Sequence, residues 1–146
     1  LYTFWRRTLP PANMTVFDAP SREFCKGRRE NTSTPMQALV LMNDVQFLET
    51  ARCLAESLLE QPVEQRAEKA FRLLTSQTPS EAQTKRLTDF LVEERGRFRE
   101  SAEQTEAFLK STGESPIRES VDHAELAATT TMVRLLLGFS ETTIKP

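Results

Sequence analysis

Apolar residues recur at spacings of three and four in five stretches of the chain, which is the pattern of amphipathic helices. The first stretch begins at "TPMQ", where Thr34 can cap a helix, Pro35 suits the first helical position and Gln37 can return the capping hydrogen bond. The other helices are expected at about 45–60, about 63–77, about 80–110 and about 123–138. No segment alternates with period two, so the predicted fold class is all-α, with about five helices packed as an irregular bundle.

The first of these helices is expected to lie at the centre of the core. Apolar residues cover most of its circumference, as in a helix that is enclosed on all sides: Met36, Leu39, Val40, Leu41 and Met42. Caps are also predicted for three later helices, namely Asp44, Thr78 in "TPSE" and Asp122 in "DHAE". Gly138 is expected to end the last helix in the left-handed conformation.

The first 34 residues have no helical period and contain Pro10-Pro11, Pro20 and Gly27. They predict an ordered, mostly non-helical N-terminal arm, with at most a short helix around "YTFWRR". Large apolar residues in the arm are expected to anchor it on the body: Tyr2, Phe4, Trp5, Val16, Phe17 and Phe24. The predicted organisation is one helical domain over residues 1–146, with the arm at 1–34 and the helical body at 35–146.

Composition narrows the class of protein. The chain of 146 residues is 38% apolar and 27% charged, which is ordinary for one globular domain. Its longest apolar run, "ALVLM", is far shorter than a membrane span, so no membrane insertion is expected. Residues 1–30 hold six Lys or Arg and three Asp or Glu, whereas the whole chain carries a formal charge of −2. We therefore expect the basic arm to pack on its acidic body, and nucleic-acid binding is disfavoured.

Cysteine and histidine content argues against a bound metal or haem. Cys25, Cys53 and the single His123 cannot supply an ordinary zinc site, and neither CxxC nor CxxCH occurs. We expect two buried free thiols, although the sequence leaves a disulfide open. His123 is expected to face solvent. The chain begins with Leu1, and we expect it to be a piece of a longer polypeptide.

The charged stretch "FDAPSREFCKGRRE" is the one candidate binding site. Arginine forks can hold a carboxylate or phosphate in two-point geometry, so an anion site or an acid/base pair is conceivable here. The same groups can instead bond carbonyls and helix ends, and this structural interpretation is favoured. The candidate residues are Asp18, Arg22, Glu23, Arg28 and Arg29. The later run "EERGRFRESAEQTE" mixes signs at helical spacing and is interpreted as a solvated helix face.

The opening run "LYTFWRRTLPPANMTVFDAPSREFCKGRRENTSTPMQALVLMNDVQFLETA" resembles the C-terminal domain of unknown function of planctomycete cytochrome-c-associated proteins, planctomycete-specific domain one. "TPSEAQ" and "DHAELAA" extend the resemblance over essentially all of the chain. It implies an exported or cell-envelope protein whose haem, if any, is bound by another part. The run "AATTTM", where an aromatic residue is usual, is expected to thin the packing of the last helix. Residues characteristic of the family are Phe17, Asp18, Pro20, Arg22, Glu23, Arg28, Arg29, Thr34, Pro35, Gln37, Ala38, Leu39, Asn43 and Asp44.

Three functional hypotheses remain at this point. The leading one is a non-catalytic helical module that docks on other domains of the parent chain, and a bare apolar patch would support it. The second is part of a hydrolytic or redox-linked enzyme completed by other domains, which a pocket with Asp18, Glu23 and Arg28 converging on it would support. The third is self-association through the long fourth helix. No catalytic residue, metal or cofactor is assigned to this chain itself.

Overall fold

The computed structural model describes residues 10–20, 25, 27–28, 32–118 and 120–143. These residues contain helices and no strands, so the predicted all-α class is confirmed. They form eight helices rather than about five. In chain order these are α1 Ala12–Val16, α2 Pro35–Asn43, α3 Val45–Leu58, α4 Val63–Thr75, α5 Glu81–Glu100, α6 Ala102–Ser111, α7 His123–Leu137 and α8 Ser140–Thr143.

The higher count has identifiable local causes. The predicted fourth helix is two helices, because Ser101 takes an extended backbone conformation and its hydroxyl accepts from the Gln104 N–H at 3.4 Å, which caps α6. The arm contains the short helix α1, and α8 follows Gly138. The helix predicted around "YTFWRR" lies outside the described residues.

Most of the predicted caps are confirmed. Thr34 and Gln37 form the reciprocal capping box of α2, Asp44 accepts from the Gln46 N–H at 2.9 Å, and Asp122 caps α7. The prediction for α5 was wrong, because Ser80 caps this helix with Gln83 as its partner, rather than Thr78.

The predicted left-handed ending at Gly138 was also wrong, since its φ is −76°. A larger residue there would require the Met42 side chain to move. A Cβ at this position would lie 2.8 Å from the Sδ of Met42.

Helix α7 forms the centre of the core, where it packs against α3 and α5. Ten of its fifteen residues are buried, including Leu126, Met132 and Leu136. The expectation of thin packing over "AATTTM" is wrong, because Thr129 and Thr130 are fully buried. Their hydroxyls donate to the carbonyls of Glu125 and Leu126, four residues earlier, at 2.8 and 2.7 Å. Buried threonine is tolerated when the helix backbone satisfies its hydroxyl.

Helix α2 lies at the edge of the bundle, so its predicted central position was wrong. Only Gln37 and Leu41 of its nine residues are buried. Arg134 of α7 holds its C-terminal end: Nε donates to the Met42 carbonyl and Nη2 donates to Asn43 Oδ1 at 2.9 Å. These bonds satisfy a carbonyl that the last turn of a helix leaves without a partner. Helix α2 is therefore fastened to the core at its inner face and its end.

None of the helices in the described part of the chain has both the length and the apolar composition that crossing a membrane requires.

Candidate functional site

The described part of the arm joins the N-terminal end of α2 through a chain of hydrogen bonds. Oδ2 of Asp18 accepts from the N–H and the hydroxyl of Thr32 at 2.8 and 2.7 Å. The Nε2 of Gln37 donates to the Thr32 hydroxyl at 3.2 Å and to the Val16 carbonyl at 2.9 Å. Asp18 itself takes a positive φ of 57°, a conformation that aspartate tolerates better than most residues. Asp18 thus holds a turn of the arm against the α2 cap.

Only part of the predicted binding cluster lies within the described residues. Asp18 bonds Thr32, and Arg28 is exposed. Arg22, Glu23 and Arg29 lie outside the described residues. Whether the five side chains converge on one ligand therefore stays a prediction.

An ion-pair cluster that the sequence did not reveal lies at the N-terminal end of α7. Glu125 accepts from Arg66 of α4 at 2.6 Å and from Arg95 of α5 at 3.1 Å. Arg99 of α5 lies 3.6 Å from Glu125 and 3.3 Å from Asp122. The cluster ties α4 and α5 to α7, and its carboxylates lie where a helix N-terminus favours negative charge.

This cluster corrects the interpretation of "EERGRFRESAEQTE" as a solvated face. Glu94 is buried, and Arg97 Nη2 lies 2.7 Å from its Oε2 as an ion pair without hydrogen-bond alignment. Arg95 points to Glu125 of another helix. Helical spacing shows which charges share a face, but the docking partner of that face depends on tertiary packing. Glu94 and Arg97 are three residues apart on one helix, whereas no local signal could have identified the pairing of Arg95 with Glu125.

Asp122 illustrates how the cluster affects ionisation. Partial burial acts to raise the pKa of Asp122. The amides of Ala124 and Glu125 and the guanidinium of Arg99 act to lower it, and together their effect is larger. The net result is a pKa below the ordinary value for aspartate. The ionised form is thus the one that the cap and the cluster favour.

A second cluster joins α3 to residues 113–118, which follow α6. Arg52 is fully buried, and its guanidinium donates to Glu56 Oε1 at 2.9 Å and to the Ser115 carbonyl at 2.7 Å. Glu49 accepts from both the N–H and the hydroxyl of Ser115. Arg118 lies 3.5 Å from Glu60. The contacts of Ser115 with Glu49 and Arg52 link residues more than sixty positions apart.

Both cysteines are free and exposed, so the prediction of buried thiols was wrong about burial. Cys53 lies on α3 between the buried Arg52 and the half-buried Leu54. His123 is exposed at the first position of α7, as predicted. Among the described residues, no group of three His, Cys, Asp or Glu side chains is arranged to hold a metal ion.

The chain thus has an all-helical domain in which clustered charges connect the helices. It belongs to the PSD1 family, described as proteins of unknown function (DUF1553), whose family model matches residues 1–91. The match includes the arm, α2 to α4 and the first half of α5, whereas the predicted resemblance extended to α7. Comparisons with curated proteins and with solved structures found no match.

Proposed function

We propose that this chain is a non-catalytic helical interaction module that docks through α2 against another domain of a larger, exported polypeptide. The observation that carries the proposal is an uncovered apolar surface, the α2 outer face, formed by Met36 and Leu39 with Val45 at the start of α3. These three side chains are 55%, 56% and 57% exposed.

The geometry of α2 explains why this surface favours a partner. Gln37 and Leu41 lie one turn apart and mark the inner face, whereas Met36 and Leu39 project from the opposite side. Helix α2 contains no charged residue. A helix that is apolar all round is normally covered on all sides. Complete burial of an exposed leucine contributes about 1.5–3 kcal/mol, and covering Leu39, which is 56% exposed, would contribute roughly half of that.

A pocket beside α2 offers a second place for contact, and it is lined by the inner-face residues Gln37 and Leu41 rather than by the residues of the outer face. It has a volume of about 240 Å³ and lies between the N-terminal half of α2 and the turn that joins α7 to α8. Its lining contains no charged side chain and includes Pro35, Ala38, Leu41 and Phe139. A partner could therefore place one uncharged side chain beside α2 while it covers the outer face.

The described carboxylates and guanidinium groups support a structural rather than a catalytic role. Asp18 bonds Thr32, Glu125 bonds two arginines and Arg52 bonds the Ser115 carbonyl, and each of these contacts connects parts of the fold. The partner domain, the exported location and a haem bound elsewhere in the polypeptide are parts of the proposal that rest on the family resemblance.

The proposal is tested by placing a charge on the outer face in two contexts. We expect Leu39→Lys to change the free energy of unfolding of residues 1–146 by less than about 0.5 kcal/mol, because the side chain is exposed there. In the complete polypeptide that the gene encodes, the same substitution should lower the melting temperature of this domain by several degrees. The matched control is Leu73→Lys on α4, where the leucine is 55% exposed. If Leu39→Lys and Leu73→Lys behave alike in the complete polypeptide, the α2 outer face is not the docking surface.

The alternative of an enzyme part completed by other domains requires Asp18, Glu23 and Arg28 to meet at a pocket. No contact among the described residues favours this convergence. Self-association through the outer face is tested with the same substitution. If sedimentation of residues 1–146 shows a dimer that Leu39→Lys dissociates, the occupant of the outer face is a second copy and the proposal of a separate domain is wrong.

A further inference from the structure

Residues 113–118, here called the strap, lie against one face of α3 between the end of α6 and the start of α7. Three α3 side chains at helical spacing form this face: Glu49, Arg52 and Glu56. Their contacts to the strap are polar, and they hold it by its backbone as well as by its side chains.

The central contact is made to a single residue of the strap. The Ser115 N–H and hydroxyl donate to Glu49 Oε1, while the Ser115 carbonyl accepts from Arg52 Nη2 at 2.7 Å. Both backbone groups of Ser115 are thus bonded to side chains of α3. Hydrogen bonds to charged groups are stronger than neutral ones, and here both bonds are of that kind.

The strap also approaches α3 closely. Gly113 has a φ of +116°, which other residues rarely adopt, and a Cβ at this position would lie 2.6 Å from the Cβ of Glu49. Glycine therefore allows the chain to pass over Glu49 just before Ser115 is bonded.

Arg52 lies fully buried at this contact, and its Nε has no hydrogen-bond partner. A buried guanidinium is costly unless its charge and its donors are compensated. Glu56 provides one carboxylate at 2.9 Å, and Glu49 lies one turn away on the same helix. The closed strap therefore depends on the negative charge of these two carboxylates.

Apolar contacts contribute little to the closed state. Glu114, Ser115 and Pro116 are exposed, and Ile117 is only partly buried against the core. Segments with few buried apolar contacts open locally at lower free energy than the core does. Here the polar contacts to α3 decide whether the strap stays closed.

We propose that the strap is an acid-released latch: protonation of Glu49 releases Ser115, and residues 113–118 open while α3 and α7 remain folded. The charged groups that face this contact are Arg52 and Glu56 of α3, Glu60 in the turn after α3, and Arg118 of the strap, which lies 3.9 Å from Glu56 and 3.5 Å from Glu60. Opening would give Arg52 access to water.

The expected direction of the pH effect follows from the state of Glu49 in the fold. The hydroxyl and amide of Ser115 lower its pKa below the ordinary value for glutamate, and Arg52 and the Glu114 amide act in the same direction. A carboxylate with a depressed pKa stabilises the closed form above its ordinary pKa of about 4.3. That stabilisation is lost as the pH falls through the lower, folded value.

The test is amide hydrogen exchange of Ser115, measured by NMR and corrected for intrinsic exchange, with the Met132 amide of α7 as the reference for global unfolding. At pH 7 we expect Glu49→Gln to speed Ser115 exchange at least about tenfold, since the neutral amide replaces a charged acceptor with a weaker, uncharged one. Met132 should be unaffected. In the unsubstituted protein, a fall from pH 7 to about pH 3.5 should likewise speed Ser115 exchange relative to Met132.

Glu68→Gln is the matched control, because Glu68 is an α4 carboxylate paired to an arginine four residues later. It should leave Ser115 exchange unchanged. The proposal is overturned if Glu49→Gln leaves Ser115 protected, if Glu68→Gln has the same effect as Glu49→Gln, or if Ser115 and Met132 lose protection together at low pH.

Discussion

Helices α2 and α7 differ in a way that apolar composition would not suggest. Helix α2 has no charged residue, yet it buries only Gln37 and Leu41. Helix α7 contains three consecutive threonines as well as Glu125 and Arg134, yet it buries ten of fifteen residues. Burial in this domain depends on where a helix lies in the bundle. Helix α7 contacts α2, α3, α4, α5 and α6, whereas α2 leaves one apolar face uncovered.

The polar residues of α7 can lie in the core because each has a defined partner. The hydroxyl of Thr130 donates to the Leu126 carbonyl, and Glu125 bonds Arg66 and Arg95 of neighbouring helices. Such satisfied groups cost little to bury, whereas an unpaired one would be costly. The exposed apolar residues of α2 have no corresponding intramolecular role, which is why we propose an interaction for them.

The largest expected contrast comes from truncating one leucine in each helix. Leu136→Ala should destabilise the domain by about 2–5 kcal/mol, because Leu136 is fully buried and its loss leaves a cavity in the core. Leu39→Ala should cost less than about 1 kcal/mol, since the side chain is 56% exposed. Urea denaturation of both variants measures the difference. Equal losses would show that α2 is as central as α7.

A smaller effect is expected from the charge cluster that fixes α7. Glu125→Gln should lower the free energy of unfolding by about 2 kcal/mol or more, because it leaves Arg66 and Arg95 without their carboxylate in a largely buried site. Glu68→Gln, at an exposed ion pair of α4, should cost less than about 0.5 kcal/mol. Chemical denaturation at low ionic strength compares the two. Similar costs would mean that the cluster does not hold α7 in place.

The smallest effect concerns the cap of α7 and depends on pH. Asp122→Ala should cost about 1 kcal/mol at pH 7, as loss of an N-cap usually does. The folded pKa of Asp122 lies below its ordinary value of about 3.9, so its stabilisation is present above that pH and is lost as the pH falls through the folded pKa. The difference between Asp122→Ala and the parent should therefore shrink from pH 7 to pH 3. A difference that stays constant would argue against a role for the ionised carboxylate.

Local patterns predicted the parts of the fold that depend on neighbouring residues. The all-α class followed from apolar spacing, and the caps at Thr34, Asp44 and Asp122 followed from their side-chain chemistry. Local chemistry was less decisive where two capping residues compete. Thr78 and Ser80 both precede α5, and the helix begins after the second.

Contacts between distant segments could not be predicted from one sequence. The approach of Ser115 to Arg52 and of Arg66 to Glu125 depends on how helices dock, and neither pair is encoded by spacing. For the same reason, α2 was wrongly predicted to lie at the centre of the core. Periodicity shows that α2 is apolar but does not show which neighbours cover it. For the predicted binding cluster, the structure places Asp18 against Thr32, and the roles of Arg22, Glu23 and Arg29 stay predictions.

The most direct test of the central claim is the accessibility of the α2 outer face to a thiol reagent. Leu39→Cys and Leu73→Cys, each made with Cys25→Ser and Cys53→Ser, should react with a maleimide at similar rates in residues 1–146, since both leucines are more than half exposed. In the complete polypeptide that the gene encodes, we expect the cysteine at position 39 to react at least about tenfold more slowly, a change equivalent to about 1.4 kcal/mol of protection. The cysteine at position 73 should keep its rate. Equal, rapid labelling of both positions in the complete polypeptide would contradict the proposal that another domain covers α2.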